Sequence, residues 1–355
     1  MDWEKIAMQE IQKKNPSENL SWSGKDKILF LPYYDAEDVA RIPFPNVFDL
    51  PAAIDDPAGP RLWSNLPAIT VSDEPPANLS ALNHLSLGGD GVLFDFQNIR
   101  HPDFSRLLQN IQWPHCTLAF RAHSEGEFLK PLRRFISESY DPASLKGALF
   151  WESIPKTTNA DFFVHSCKNF KSLGLIVPPA APTEEISGAL FKGIKTVEAF
   201  SGESPSADVL RSVCFSISVG ACIPESIAKL KALRMLWYQV ARSYGHHDFK
   251  RRDLVIHARS TRAKDGLYAP HENMLKGTFS AIAAIMGGCD SLTVECEEQP
   301  PLVARQARNI STILREESFF NQMADPFAGS YAVDVITNAI AEKAWSMFQE
   351  KCQRL

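Results

Sequence analysis

The chain is predicted to fold as an α/β protein, a (β/α)8 TIM-type barrel preceded by an extended N-terminal arm. The first observation is a set of eight short apolar runs: Ala68 to Val71, Gly91 to Phe96, Cys116 to Ala122, Gly147 to Trp151, Leu173 to Val177, Val213 to Ser218, Leu254 to Ala258 and Ser291 to Glu295. Their starts recur at roughly 32 residues, the length of a strand–helix–strand crossover. The second is that these runs are apolar on consecutive positions, as parallel strands covered on both faces require. The third is that no G-x-G-x-x-G or P-loop follows any run, which argues against an open nucleotide-binding sheet.

The first 62 residues do not share this rhythm and form the arm, with the barrel over 63–355. Trp3, Ile6 and Ile11 mark a short helix with one apolar side. Between Ala40 and Pro60 stand Pro43, Pro45, Pro51, Pro57 and Pro60, so this stretch should run extended and irregular. An arm rich in aromatics must bury them, either on its own barrel or on a second subunit, and the sequence favours a subunit contact.

Amphipathic segments fill the gaps between strands. Phe104, Leu107, Leu108 and Ile111 mark one; Phe128, Leu132 and Phe135 another; Phe162, Phe163, Cys167 and Phe170 a third. Ile227, Leu230, Leu233, Leu236, Trp237 and Val240 form the clearest stripe, which reads as core packing. Helices are also expected over Met274 to Met286, Pro301 to Glu317 and Val333 to Arg354.

Composition narrows the function classes. A net charge of -5 gives no electrostatic case for nucleic acid or an anionic membrane. No apolar run reaches the ~20 residues of a membrane span, and Met1-Asp-Trp-Glu-Lys5 has no secretory apolar region, so a cytoplasmic protein is expected. The seven cysteines are scattered and never form C-x-x-C, so buried thiols are expected rather than disulfides or a metal site.

The motifs cluster between Phe215 and Tyr331. Glu225-Ser-Ile-Ala-Lys-Leu-Lys-Ala-Leu-Arg-Met-Leu-Trp237, Ala283-Ala-Ile-Met-Gly-Gly288, Glu316-Glu-Ser318 and Asp325-Pro-Phe-Ala-Gly-Ser-Tyr331 resemble the catalytic-barrel region of the methylmalonyl-CoA mutases. The clear likeness covers about a third of the chain; before residue 200 only the strand rhythm agrees. The resemblance implies a TIM barrel that binds acyl-CoA along its axis, with adenosylcobalamin held between the barrel's C-terminal face and a separate flavodoxin-like domain. The cofactor carries the radical chemistry, and the protein positions, shields and polarises.

Two departures qualify what the resemblance implies. The cobalamin-domain signature D-x-H-x-x-G is absent, the nearest fragment being Asp161-Phe-Phe-Val-His165 with the wrong spacing. No cobalamin-binding domain is therefore expected here, and no cofactor bound by this chain alone. Catalytic chains carry Arg-Thr-His-Ser-Gln-Thr at the end of strand seven, whereas this chain reads His257-Ala-Arg-Ser-Thr261. His257 falls on the family's Arg and Arg259 on its His; Asn273 still matches. The aromatic, proline-rich motif before strand six is replaced by Ala199-Phe-Ser-Gly-Glu-Ser-Pro205. This pattern resembles the smaller, non-catalytic subunit of heterodimeric mutases.

In a barrel, side chains just past the strand ends share one face. That places Asp95, Arg121, His123, Glu152, His257, Arg259, Arg262 and Glu295 around a mouth. Catalytic candidates are His257, Arg259 and Glu295; substrate-binding candidates are Arg121, Arg262 and Asn273, since guanidinium forks suit carboxylate or phosphate. The competing expectation is that the charges pair among themselves, Arg121 with Glu152 or Arg259 with Glu295. Three functions follow. The first is a non-catalytic partner of a large mutase subunit interconverting methylmalonyl-CoA and succinyl-CoA, as heterodimer or homodimer. The second is the barrel half of a split adenosylcobalamin-dependent acyl-CoA mutase acting with a separate cobalamin-binding chain. The third is an unrelated barrel lyase, ranked last because no lysine convincingly closes a strand.

Overall fold

The structure, a computed structural model, describes residues 3–11, 19–42, 61–96, 99, 101–122, 128–152, 161–201, 205–261, 270–296 and 301–354. Each of the eight expected runs is a strand: β1 in two halves (Ser64–Asn65 and Ala68–Thr70), β2 (Gly91–Phe96), β3 (Thr117–Ala122), β4 (Lys146–Trp151), β5 (Phe170–Ile176), β6 (Val213–Val219), β7 (Val255–Ser260) and β8 (Ser291–Thr293). All neighbours pair in parallel, in sequence order from β2 to β8. Closure runs through β1, which begins earlier than its apolar run. Its first half pairs with β8 and its second with β2. The amides of Ser64 and Leu66 donate to Asp290 and Leu292, while Leu93 donates to the Pro67 carbonyl. One interrupted strand therefore joins both edges of the sheet, and no edge is left to pair elsewhere.

The expected helices are present with shifted bounds: α1 (Trp3–Ile11), α2 (Ala36–Ala40), α3 (Glu74–Ser86), α4 (Phe104–Leu107), α5 (Leu129–Ser139), α6 (Asp161–Ser166), α7 (Pro182–Ser201), α8 (Ala207–Ser212), α9 (Ile223–Ser243), α10 (Pro270–Met286), α11 (Pro301–Glu316) and α12 (Tyr331–Gln353). The third crossover departs from its pattern, because Phe170 opens β5 instead of extending α6. Alternation sorts the aromatics. Phe94, Phe96, Phe120, Trp151 and Phe215 turn outward into the core beneath the helices. Phe215, for example, meets Trp237 of α9 edge-on at 5.2 Å.

Ion pairs fasten the N-terminal end of the barrel. Asp90, just before β2, takes both ends of the Arg315 fork at 2.8 Å. Arg234 of α9 reaches Asp290 at 2.9 Å and donates to the carbonyls of Leu254 and Gly288. At the turn before α12, Ser330 is the N-cap residue but its side chain makes no cap bond. Asp325 takes the Phe327 amide at 3.1 Å and pairs with the buried Lys231 at 2.6 Å.

The described part of the arm lies on its own barrel. Trp22–Ser23 pairs antiparallel with Leu29–Phe30, and the Trp22 ring stacks on Phe30 at 4.0 Å. At the tip between them, buried Asp26 accepts from the amide and hydroxyl of Thr183 at 2.8 and 2.7 Å. One of the backbone donors that the first turn of α7 leaves unpaired is thereby satisfied by a remote carboxylate, which also takes the Thr183 hydroxyl. Lys343 of α12 donates to the Asp26 carbonyl. The proline-rich stretch 43–60, expected to be extended, lies outside the described residues.

Candidate functional site at the barrel mouth and bore

Inward side chains of successive strands fill the bore in layers. An apolar layer of Leu66, Leu93, Ala119, Ala148, Phe150 and Cys214 is separate from the outer core. Phe150 is the one inward member of the six bulky residues Phe94, Phe96, Phe120, Phe150, Trp151 and Phe215. A register shift between β4 and β5 sets Gly174 opposite it. A Cβ at Gly174 would come within 2.7 Å of the Phe150 ring and 2.9 Å of the Cys214 sulfur, so only glycine admits the phenyl group there.

Against this layer lies a hydrogen-bonded chain on three strands. The Ser216 hydroxyl is 2.9 Å from His257 Nδ1, His257 Nε2 is 2.9 Å from Thr293 Oγ1, and Thr293 donates to the Leu66 carbonyl at 2.6 Å. Because Thr293 spends its hydrogen on Leu66, its oxygen accepts from His257. This assigns the proton to Nε2 and leaves Nδ1 to accept from Ser216. The imidazole is fully buried and stacked on Phe150 at 4.8 Å. Burial, with the nearby Arg259 and Arg121 charges, holds its pKa well below the ordinary histidine value. His257 is therefore a neutral, doubly engaged group in the bore wall.

One layer further, at the strand ends, the charges pair. Arg121 Nη1 is 2.7 Å from Asp95, and Nη2 is 3.6 Å from Glu295. Arg259 Nη2 donates to the Val177 carbonyl at 3.1 Å, and burial beside Arg121 lowers the pKa of its guanidinium. The expectation of mutual pairing holds in kind, but the partners differ. Glu295 meets Arg121, not Arg259, and exposed Glu152 meets it not at all: its carbonyl takes Lys192 at 2.5 Å. Beside them Glu185 of α7 binds Lys229 of α9 at 2.6 Å and the Ser218 hydroxyl at 2.5 Å.

The structure thus brings together Asp95, Arg121, Arg259 and Glu295 at the mouth and places His257 beneath them. Asn273 is exposed on the first turns of α10, and Glu316, Glu317 and Ser318 are exposed beyond Arg315 at the opposite end of the barrel. His123 and Arg262 lie outside the described residues. Sequence reading missed Ser216, Thr293, Glu185 and Lys229. The first two sit at inward positions paired with His257 in register, a signal available only once strand register is known. Among the described residues no group of His, Cys, Asp and Glu could hold a metal, and the cysteines are free thiols. Burial pushes Cys167, Cys214 and Cys289 up to about 12. No helix among the described residues is long and apolar enough to cross a membrane.

Known proteins are similar to this chain in sequence. Residues 179–353 match the family model described as methylmalonyl-CoA mutase. The methylmalonyl-CoA mutase small subunit of Porphyromonas gingivalis is 25% identical over 366 residues, covering 93% of this chain and 59% of that protein. The methylmalonyl-CoA mutase of Rhizobium meliloti is 30% identical over 172 residues, 47% of this chain and 23% of that protein. The probable small subunit of Mycobacterium bovis is 33% identical over 153 residues, 40% of this chain and 25% of that protein. The chain thus spans 59% of the first of these relatives, and shorter shares of the other two. With its closed barrel and a likeness to a small subunit over 93% of its length, the chain is similar to the methylmalonyl-CoA mutase family and, within it, to the small subunits.

Proposed function

We propose that this chain is the non-catalytic barrel partner of an adenosylcobalamin-dependent mutase chain that interconverts methylmalonyl-CoA and succinyl-CoA. The observation that carries this reading is the filled bore. Phe150 and His257 stack across the axis along which a pantetheine arm would run, and both ring nitrogens of His257 are engaged within the wall. A substrate carbonyl could take only the Nε2 proton, which would break the bond to Thr293 at a cost of about 1–3 kcal/mol. The described residues also do not fit the corrin. The one described imidazole lining the bore offers no free nitrogen as a lower axial ligand. What this chain contributes is a rigid barrel, with an arm whose described part is anchored on it at Asp26.

The test is reconstitution. Mixed at micromolar concentration with the catalytic mutase chain of its source, the protein is expected to co-elute with it in size-exclusion chromatography. Alone, it is expected neither to isomerise methylmalonyl-CoA nor to bind an acyl-CoA in calorimetric titration. Failure to co-elute counts against the pairing. The similarity of 47% of this chain to part of the Rhizobium meliloti mutase supports a second reading, the barrel half of a split mutase. Acyl-CoA binding by the isolated chain, or isomerase activity on adding a separate cobalamin-binding chain, would establish that reading instead.

A further inference from the structure

The barrel closes where β1 meets β8, and the helices that follow those strands, α3 and α11, flank this seam. Two bonds fix α11 on β1. Trp63 Nε1 donates to Ser311 Oγ at 2.8 Å, and Asn65 Nδ2 donates to the Arg308 carbonyl at 3.0 Å. From that fixed turn the Arg308 side chain reaches His84 in the last turn of α3, with Nη1 3.4 Å from Nδ1. Only 6% of Arg308 is exposed.

Arg61, Arg234 and Arg308 are the buried arginines among the described residues. Arg234 pairs with Asp290, and Arg61 feels the charges of Asp290 and Asp325. Arg308 has no such compensation. Its Nη2 is 3.4 Å from the amide oxygen of Asn309, and its buried Nε has no acceptor. Both 3.4 Å contacts are longer than an ordinary hydrogen bond. Burial lowers its pKa, and the charge of Arg305, exposed one turn earlier, lowers it further. The flanking helices bring no counter-charge. α11 has no acidic residue before Glu316, its last, and α3 has only Glu74, which takes the Asp103 amide at 3.0 Å from the far end of the helix. A buried cation without an anion beside it is unfavourable.

We propose that the seam between α3 and α11 binds a phosphate dianion, free or as the monoester of a small molecule. Nε and Nη2 form one edge of the Arg308 fork, spaced for two oxygens of one phosphate, and the only bond along that edge is the long one to Asn309. The anion displaces the Asn309 amide, and Arg305 supplies the second positive charge. A monocarboxylate would leave one of the two cations unmatched. The seam lies outside the bore, so this binding does not rest on the mutase reading.

Inorganic phosphate titrated calorimetrically into the full chain tests it, with acetate and chloride at equal ionic strength as controls. Saturation below ~10 mM is expected for phosphate and not for acetate. Arg308→Gln is expected to weaken phosphate at least about tenfold, the scale of a lost charged hydrogen bond. Arg305→Gln is expected to weaken it about two- to fivefold, the scale of an exposed charge. Should Arg308→Gln fold poorly, Asn309→Ala, which clears the competing amide, is expected to bind about two- to tenfold more tightly. Glycerol phosphate run in parallel separates the sources: tighter binding assigns the seam to a phosphomonoester, equal or weaker binding to the free anion. Acetate binding as tight as phosphate, or no saturation by ~10 mM, would overturn the proposal. So would phosphate affinity unchanged in Arg308→Gln or not raised in Asn309→Ala.

Discussion

At His257 three constraints meet: two hydrogen bonds of opposite sense, a phenyl ring against one face, and two guanidinium groups nearby. Burial, the guanidinium charges and the bond accepted at Nδ1 favour the neutral imidazole, which makes the residue a source of acid sensitivity. In the unfolded chain it takes a proton near ~6.5. In the folded chain it stays neutral to a much lower pH. Below ~6.5 the unfolded state therefore binds the extra proton, and stability falls as pH falls. Replacing His257 by Gln removes this contribution. The stability difference between parent and variant is expected to shrink by about 1.4 kcal/mol for each pH unit from ~6.5 towards 5. Urea denaturation at several pH values measures it, and two parallel curves would mean that the imidazole titrates normally when folded. The residue type and its strand were legible in the sequence. Its role was not, because Ser216 and Thr293 come from strands 41 and 36 residues away.

Among the elements, α9 does most to hold the barrel together. Its apolar stripe faces the strands, as its spacing announced, yet its charged residues are buried as well. Lys229 reaches Glu185 of α7, Lys231 reaches Asp325 before α12, and Arg234 reaches Asp290 before β8. The Lys231–Asp325 pair joins two motifs that the sequence showed only as separate signatures, and burial lowers the pKa of the lysine despite its partner. Breaking such a pair from one side strands a charge, whereas replacing both with apolar groups of similar volume need not destabilise. Asp325→Ala is expected to cost about 3–5 kcal/mol. Lys231→Met combined with Asp325→Leu is expected to recover most of that in a double-mutant cycle followed by denaturant melts. If the double variant is as unstable as the single, the backbone bond from Phe327 to Asp325, not the ion pair, holds the turn.

For the molecule as a whole, the decisive fact is that the barrel is a packed core from β1 to β8. Phe150 lies at its centre, so Phe150→Ala is expected to cost about 3–5 kcal/mol through lost transfer energy and a residual cavity. A loss below about 1 kcal/mol in equilibrium unfolding would mean that the bore is loosely filled. The sequence alone determined the number and order of the strands, the covering helices and the family likeness. These rest on local periodicity and on motifs contiguous in the chain, which need no knowledge of what packs against them. Closure and filling were decided only in three dimensions. β1 is split around Leu66 and Pro67, and its partner Thr293 is 227 residues from Leu66, so no local pattern marks it as the strand that joins both edges. The extra residue in β5 that sets Gly174 against Phe150 has no signature in composition either. A shift of one residue turns every later side chain to the other face of the sheet. Which aromatic ring would fill the bore, and which carboxylate each arginine would meet, therefore depended on register, and only tertiary pairing sets register.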